Sequence, residues 1–347
     1  PVRHAVLGNN MNISIFGLGY VGAVMTACFA RDGHRVYGVD KDAHKIDLVA
    51  QGKSPISETE LESLRAAGVK AGAITATQDH RAALLATDVT MVCVGTPSKA
   101  NGELDLDFVL RVCHEIGAVL RTKAQRHLLV VRSTMLPGSM ENFVIPALEQ
   151  ASGKCAGRDF GVAYNPEFLR EGTAIADFYA PPKTVIGAPD QADANLVAAF
   201  YANTKAPIIK TSLKTAEMVK YTDNIFHALK VVYANEIGSL CQAVGADARE
   251  VMDIFCQDRK LNLSPAYLKP GFAFGGSCLP KDLRAVLSLA RFNDVELPML
   301  SGVINTNDQV VRSLAREVLA TGARRIALLG LSFKAETDDL RESPYVD

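Results

Sequence analysis

The 347 residues exceed the usual size of one compact domain, so two domains with a connecting element are expected. An apolar content of 48%, without an uninterrupted apolar stretch of about 18 residues, fits a globular chain and argues against a membrane span. The 37 Lys and Arg are scattered among 38 Asp and Glu for a net charge of −1, which leaves no electrostatic footprint for nucleic acid or anionic lipid and points to a small-molecule partner.

Residues 1–10 precede the Met11 that opens the first strand and read as an extension outside the fold. They carry no positively charged start followed by an apolar core, so no signal peptide is expected. Residues 12–17 form an apolar run ending in glycine, a small-residue helix follows to about Asp32, and residues 35–40 form a second strand. The turn between the first strand and its helix is Gly17-Leu18-Gly19-Tyr20-Val21-Gly22, a GxGxxG in the context that a dinucleotide site requires. Gly17 permits the tight turn, Gly19 lets the backbone approach a pyrophosphate, and Gly22 allows close helix–sheet packing, while the amides near Tyr20 and Val21 face the phosphates. Asp40 ends the second strand, where a carboxylate accepts hydrogen bonds from the adenosine ribose and repels a 2′-phosphate, favouring NAD over NADP; the adjacent Lys41 softens that repulsion. Taken alone, the same glycines also suit a plain strand-to-helix turn.

Further β-rich runs are expected at 88–94, 127–133 and 160–163, with helices at about 41–51, 58–67, 105–122 and 138–150. This alternation predicts an α/β fold: an N-terminal Rossmann-like, doubly wound, mainly parallel sheet over residues 11–211. Ligands of such sheets bind at strand ends. Thr96 lies in one strand-end loop and Thr134 in another, and the loop Asn165-Pro166-Glu167-Phe168-Leu169-Arg170-Glu171-Gly172 supplies Glu167 and Glu171. Carboxylates there can take a proton or position water, and read equally well as acids favoured at a helix start.

From Ser212 the pattern changes to helix without strands: one long helix at 215–244, then 247–257, 280–292 and 298–320, giving an all-helical central region over 212–322. An apolar stripe on so long a helix needs burial against something, which makes it a candidate dimerisation helix. Lys220 and Asn224, four apart on it, project from one face and can stabilise a developing oxyanion, although a solvated polar pair has the same spacing. His227 on the same helix reads as a structural histidine before a base. Residues 325–330 then read as a new buried strand, the start of a truncated second Rossmann-like domain over 323–347.

Of the cysteines at 28, 93, 113, 155, 241, 256 and 278, most lie in apolar runs without metal-ligand spacing, which suits reduced thiols of a cytoplasmic protein. Cys278 differs. It ends the glycine-rich loop Phe274-Gly275-Gly276-Ser277, just ahead of Pro280 at a predicted helix start, where the helix dipole and Lys281 favour the thiolate. Those features balance the ordinary reading of a lone cysteine as structural.

From Met11 to the last residue the chain resembles the UDP-glucose/GDP-mannose dehydrogenase family. The resemblance rests on Phe16-Gly-Leu-Gly-Tyr-Val-Gly22, Asn165-Pro-Glu-Phe-Leu-Arg-Glu-Gly172, Phe274-Gly-Gly-Ser-Cys-Leu-Pro-Lys-Asp282 and Phe333-Lys-Ala-Glu-Thr-Asp-Asp-Leu-Arg-Glu-Ser-Pro344, in family order. It implies NAD as cofactor and a four-electron oxidation of a nucleotide sugar's C6 alcohol to the carboxylate through a thioester on Cys278. Lys220 and Asn224 are implied as oxyanion stabilisers, Thr134 and Asp282 as helpers of water chemistry, Glu167 as an acid/base or hydrolysis residue, and Glu171, Lys281 and Arg341 as cofactor-side contacts. Sugar-nucleotide contacts are implied from Phe168, Leu169, His227, Asn262, Tyr267, Lys269, Phe274, Gly275 and Lys334, and a homodimer from the long helix. Residues 95–106, 260–264 and 270–274 are most similar to the branch of the family that oxidises GDP-mannose for alginate synthesis, with UDP-glucose and UDP-N-acetylmannosamine as alternative substrates. Ala266-Tyr267-Leu268-Lys269 departs from the family's Tyr-Tyr-Met-Arg, and Lys269 loses the planar fork for bidentate phosphate recognition. Two other readings compete: a β-hydroxyacid or 6-phosphogluconate-type dehydrogenase, which needs no thiol, and a catalytically incompetent cofactor-binding fragment.

Overall fold

The computed structural model describes residues 10–259, 271–292, 294, 297–335 and 337–346. Residues 1–9, which are all of the expected N-terminal extension except Asn10, and Asn262, Tyr267 and Lys269 lie outside the described residues. Contacts divide the chain into two compact units: one runs through Pro97 and takes in Leu104–Lys220, and the other comprises Ser98–Glu103 and the chain from Tyr221 onward.

The first unit alternates strand and helix. In order it holds β1 (Asn12–Phe16), α1 (Tyr20–Arg31), β2 (Arg35–Val39), α2 (Ala43–Ala50), α3 (Leu61–Lys70), β3 (Ile74–Thr77), α4 (His80–Leu85), β4 (Val89–Val92), α5 (Asp107–Leu120) and β5 (Leu128–Val131). A wide-turn stretch, Met140–Val144, then runs into α6 (Ile145–Ser152), followed by β6 (Gly161–Tyr164), α7 (Ala174–Tyr179), β7 (Thr184–Gly187), α8 (Gln191–Ala199) and β8 (Ile208–Thr211). The eight strands form one sheet in the order β3-β2-β1-β4-β5-β6-β7-β8, parallel throughout except where β6 meets β7. Central strands such as Val-Thr-Met-Val and Leu-Leu-Val-Val are buried at every position, as expected where helices cover both faces. One face packs Ile13, Ile15, Val24, Phe29 and Phe178; the other packs Phe16, Val92, Ile116, Leu148 and Leu213.

Strands β3, β7 and β8 and helices α4, α7 and α8 are additional to those the periodicity marks. The strands are four residues long, and β8 is an exposed edge strand whose Ile208 and Ile209 lack an apolar/polar alternation. Helices of six to nine residues complete too few turns to display a stripe. Several take their start from an aspartate cap instead: Asp42 accepts from His44 N, Asp79 from Ala82 N and Asp190 from Ala192 N.

The second unit is helical. Helix α9 (Leu213–Val244) enters it at Tyr221, and α10 (Ala248–Phe255), α11 (Leu279–Phe292) and α12 (Pro298–Ala320) follow. Ala228, Val232, Phe274, Leu283, Leu287 and Val303 form its core. The strand expected at 325–330 is a correction: the segment is neither strand nor buried, and Leu329 is 95% exposed. A strand needs a neighbour for its amides and carbonyls, and no described strand pairs with this one.

Candidate active site

The glycine-rich turn is built as its spacing requires. Gly17 holds a left-handed φ of 91°, and its amide bonds Val39 O at 2.8 Å, which locks the turn to the end of β2. A Cβ on Gly22 would lie 1.8 Å from Gly17 O, so any other residue there would force α1 off the turn, whereas Gly19 faces open space, leaving its backbone accessible to a ligand. Asp40 Oδ2 accepts Leu18 N at 2.7 Å and Oδ1 accepts Asp42 N at 3.0 Å. Each oxygen keeps a further lone pair for a ribose hydroxyl. These residues fit a dinucleotide: an open-faced glycine backbone at a helix N-terminus, with a fixed carboxylate at the next strand end. Lys41 lies with its ammonium 5.0 Å from the Phe108 ring centroid. The Tyr20 hydroxyl is committed to Glu58, so Val21 and Tyr20 offer a ligand their backbone.

Neighbouring strand-end loops are tied together. Thr96 Oγ1 donates to Thr134 O at 2.8 Å and Ser133 Oγ to Val94 O at 2.6 Å, which couples the loops after β4 and β5. Glu217, fully buried on α9, accepts Gly138 N at 2.6 Å and Met140 N at 2.8 Å, anchoring the far end of the Thr134 loop. One turn along α9, Lys220 is 4% exposed and pairs with Glu167 at 2.9 Å. Glu167 also accepts Leu169 N at 2.7 Å. Burial alone would raise the Glu167 carboxyl, but the Lys220 ammonium, the Leu169 amide and nearby Arg132 outweigh it and hold the pKa below the usual carboxylate range. The Phe168 ring lies under two cations, Lys183 at 5.2 Å and Lys220 at 5.7 Å.

In the second unit Cys278 is exposed and immediately precedes α11; its carbonyl accepts the first helical bond, from Asp282 N at 2.9 Å. The thiol therefore stands at the positive end of the helix dipole, with Ser277 Oγ 3.8 Å from Sγ. Asp282, buried, pairs with Lys281 at 3.2 Å and accepts a hydrogen bond from Asn224 Nδ2. Asn307 of α12 clamps the Phe274 backbone, accepting its N–H at 2.8 Å and donating to its carbonyl at 2.9 Å. Gly275 leaves no room for a Cβ, which would meet Glu342 O and Pro344 Cδ at 2.4 Å, and Gly276 N donates to Glu342 O at 3.2 Å. Lys334 lies over the Phe333 ring at 5.6 Å, Arg341 pairs with Asp339 at 2.6 Å, and His227 and Glu171 are half-buried.

The sequence-marked residues thus gather in two sets, Glu167 with Lys220 in the first unit and Asn224, Asp282, Lys281 and Cys278 in the second. Glu58, Glu217, Asn307 and Glu342, which hold the loops bearing them, escape a reading by spacing. Only Glu342 had a signal, as part of the Phe333–Pro344 motif.

Family models described as the UDP-glucose/GDP-mannose dehydrogenase family, NAD binding domain and central domain, match residues 11–205 and 214–309. The chain is 57% identical to a GDP-mannose 6-dehydrogenase of Pseudomonas syringae pv. syringae, over 97% of this chain and 77% of that protein. It superposes on a ternary complex of GDP-mannose dehydrogenase from Pseudomonas aeruginosa with a TM-score of 0.73 at 55% identity, covering 97% and 77% of the two chains. A UDP-glucose dehydrogenase from Pyrobaculum islandicum gives a TM-score of 0.92 at 36% identity, covering 99% and 79%.

Proposed function

The chain belongs to the UDP-glucose/GDP-mannose dehydrogenase family, and on that premise we propose that it oxidises the C6 alcohol of GDP-mannose to the carboxylate. It is an NAD-dependent oxidoreductase. NAD, when bound, supplies the hydride acceptor for each of the two oxidations; Gly17, Gly19, Gly22 and Asp40 hold it. Cys278 Sγ captures the aldehyde carbon, its new S–C bond forming as the carbonyl electron pair moves to oxygen. Lys220 and Asn224 stabilise that oxyanion, and a second oxidation leaves the thioester. Water, positioned by Thr134 and Asp282 and deprotonated by Glu167, cleaves the S–C bond and returns the thiolate. The depressed pKa of Glu167 supports its entering the cycle as a carboxylate.

One observation carries this reading: the Cys278 thiol is exposed at the head of a helix, whereas Cys28, Cys93 and Cys113 are buried and pushed up to about 12 by that burial. GDP-mannose is placed ahead of UDP-glucose because relatives named for it are 54–57% identical, against 36–37% for those named for UDP-glucose. The test is NADH formation with GDP-mannose, UDP-glucose and UDP-N-acetylmannosamine. GDP-mannose is expected to give two NADH per uronate, and Cys278→Ser to form no uronate while retaining part of the first oxidation. An unchanged rate of uronate formation in Cys278→Ser would reject the thioester.

A homodimer through α9 is part of the same proposal, supported by Phe226 and Tyr233, which are 39% and 42% exposed on it. Sedimentation of Phe226→Glu is expected to show a smaller dimer fraction than the parent chain. No described helix is long and apolar enough to cross a membrane. The buried thiols support a cytoplasmic location.

A further inference from the structure

Two segments of the cofactor site, the glycine-rich turn and the loop after β6, are joined by a residue that belongs to neither. Glu58 sits in the connection between α2 and α3. Its Oε2 accepts the Tyr20 hydroxyl and Gly172 N at 2.8 Å, and its Oε1 accepts Ala174 N at 2.9 Å. The Tyr20 hydroxyl also lies 3.1 Å from Arg170 O; with a single proton, it donates to the nearer Glu58. On its other side the loop is fixed by Asp177 of α7, which binds the Arg170 guanidinium at 2.7 and 3.0 Å and the Arg170 amide at 2.9 Å. Glu171 lies between these two carboxylate anchors.

We infer that Glu58 is a positioning residue for the nicotinamide half of the cofactor: through Tyr20 and the Gly172 and Ala174 amides it sets the loop that carries Glu171. This rests on the proposed placement of Glu171 beside the nicotinamide. The adenosine half does not depend on Glu58, because the glycine-rich turn has its own anchors in Gly17 N to Val39 O and Leu18 N to Asp40 Oδ2. Removing Glu58 therefore costs the Glu171 loop two amide anchors while the turn keeps its own, so the effect falls mainly on the nicotinamide half, which separates positioning from a general loss of structure.

Glu58→Gln is nearly isosteric, yet its single carbonyl oxygen can serve only one of the two loop amides, and its NH2 group confronts the other. Tyr20→Phe removes the hydroxyl alone and is the milder probe. The experiment is calorimetric titration of both variants with NADH and with ADP-ribose, which lacks the nicotinamide. Glu58→Gln is expected to weaken NADH about tenfold and ADP-ribose by less than about twofold, and Tyr20→Phe to weaken NADH about threefold with ADP-ribose unchanged. Equal weakening of the two ligands, or unchanged NADH affinity in the folded variants, would overturn the assignment. If Glu58→Gln does not fold, Tyr20→Phe decides by the same comparison. Failure of the parent chain to oxidise any nucleotide sugar would count against the proposed activity and leave this result standing, since neither titration requires turnover.

Discussion

Lys220 and Glu167 illustrate what a buried ion pair contributes. Both are nearly sealed from solvent, at 4% and 7% exposure, so each charge depends on the other for its solvation. In Glu167→Gln the ammonium loses its anionic partner, for which the Phe168 ring, at 5.7 Å, is a weak substitute. The expected loss at neutral pH is about 3 kcal/mol, read as a lower midpoint in urea unfolding. Because the Glu167 carboxyl is held below its ordinary pKa in the folded chain, its contribution is present above the unfolded value and lost as pH falls through the folded one. The parent and Glu167→Gln curves should therefore converge in acid; a gap constant with pH would show that the charge of Glu167 is not what the chain uses. Such residues are legible when a motif carries them, as with Glu167 and Cys278, or when helical spacing pairs them, as with Lys220 and Asn224. Glu217 and Glu58 are not, because their partners lie 79 and 114 residues away and nothing local marks either one.

At the scale of the element, the strand–turn–helix of β1 and α1 was the most readable part of the chain, since three glycines and one aspartate at fixed spacing each answer a separate steric or hydrogen-bonding need. Gly22→Ala tests that account most directly. The added Cβ would sit 1.8 Å from a backbone oxygen, a clash that no side-chain rotation relieves. NADH and ADP-ribose binding should both fall by more than about a hundredfold, together with a loss of stability of roughly 2 kcal/mol or more. Retained ADP-ribose affinity would mean that the turn adapts and is not a rigid cradle. Continuous apolar runs such as β4 and β5 were equally plain. What escaped were strands whose identity comes from neighbours: β8 is exposed at the sheet edge and exists because β7 offers a ladder. Residues 325–330 show the converse, an apolar run as strand-like as β5 that has no described partner strand and stays exposed.

Over the whole molecule, the change from alternating strand and helix to helix alone at Ser212 made a two-part plan visible, while the division of contacts after Lys220 falls inside α9, where an unbroken helix gives no local sign that its neighbours change. The acid–base response was invisible in sequence for the same reason, since it depends on burial. His127 is driven down to about 3, first by burial and then by the Lys123 ammonium, which donates to its Nδ1 at 2.9 Å. Folding thus selects the neutral ring, and that stability is complete above about pH 6.5 and lost as pH falls towards 3. Glu217 runs the other way. Burial drives it up to about 7 against the opposing pull of the Met140 and Gly138 amides, with Glu141 adding to the rise and Lys214 opposing it. Its contribution is complete below about pH 4.5 and lost as pH rises through 7. Between pH 6.5 and 4.5 the two therefore offset each other, and above pH 6.5 only the Glu217 loss continues. Glu217→Gln cannot ionise, so relative to the parent it should gain as pH rises from 5 to 8, by an amount of order 3 kcal/mol. Its fixed cost, one amide left without an acceptor, is the same at every pH and so does not alter the slope. The measurement is the difference in melting temperature between Glu217→Gln and the parent across that range. If the two profiles run parallel, the carboxylate is already ionised at pH 5 and its two amide bonds outweigh burial.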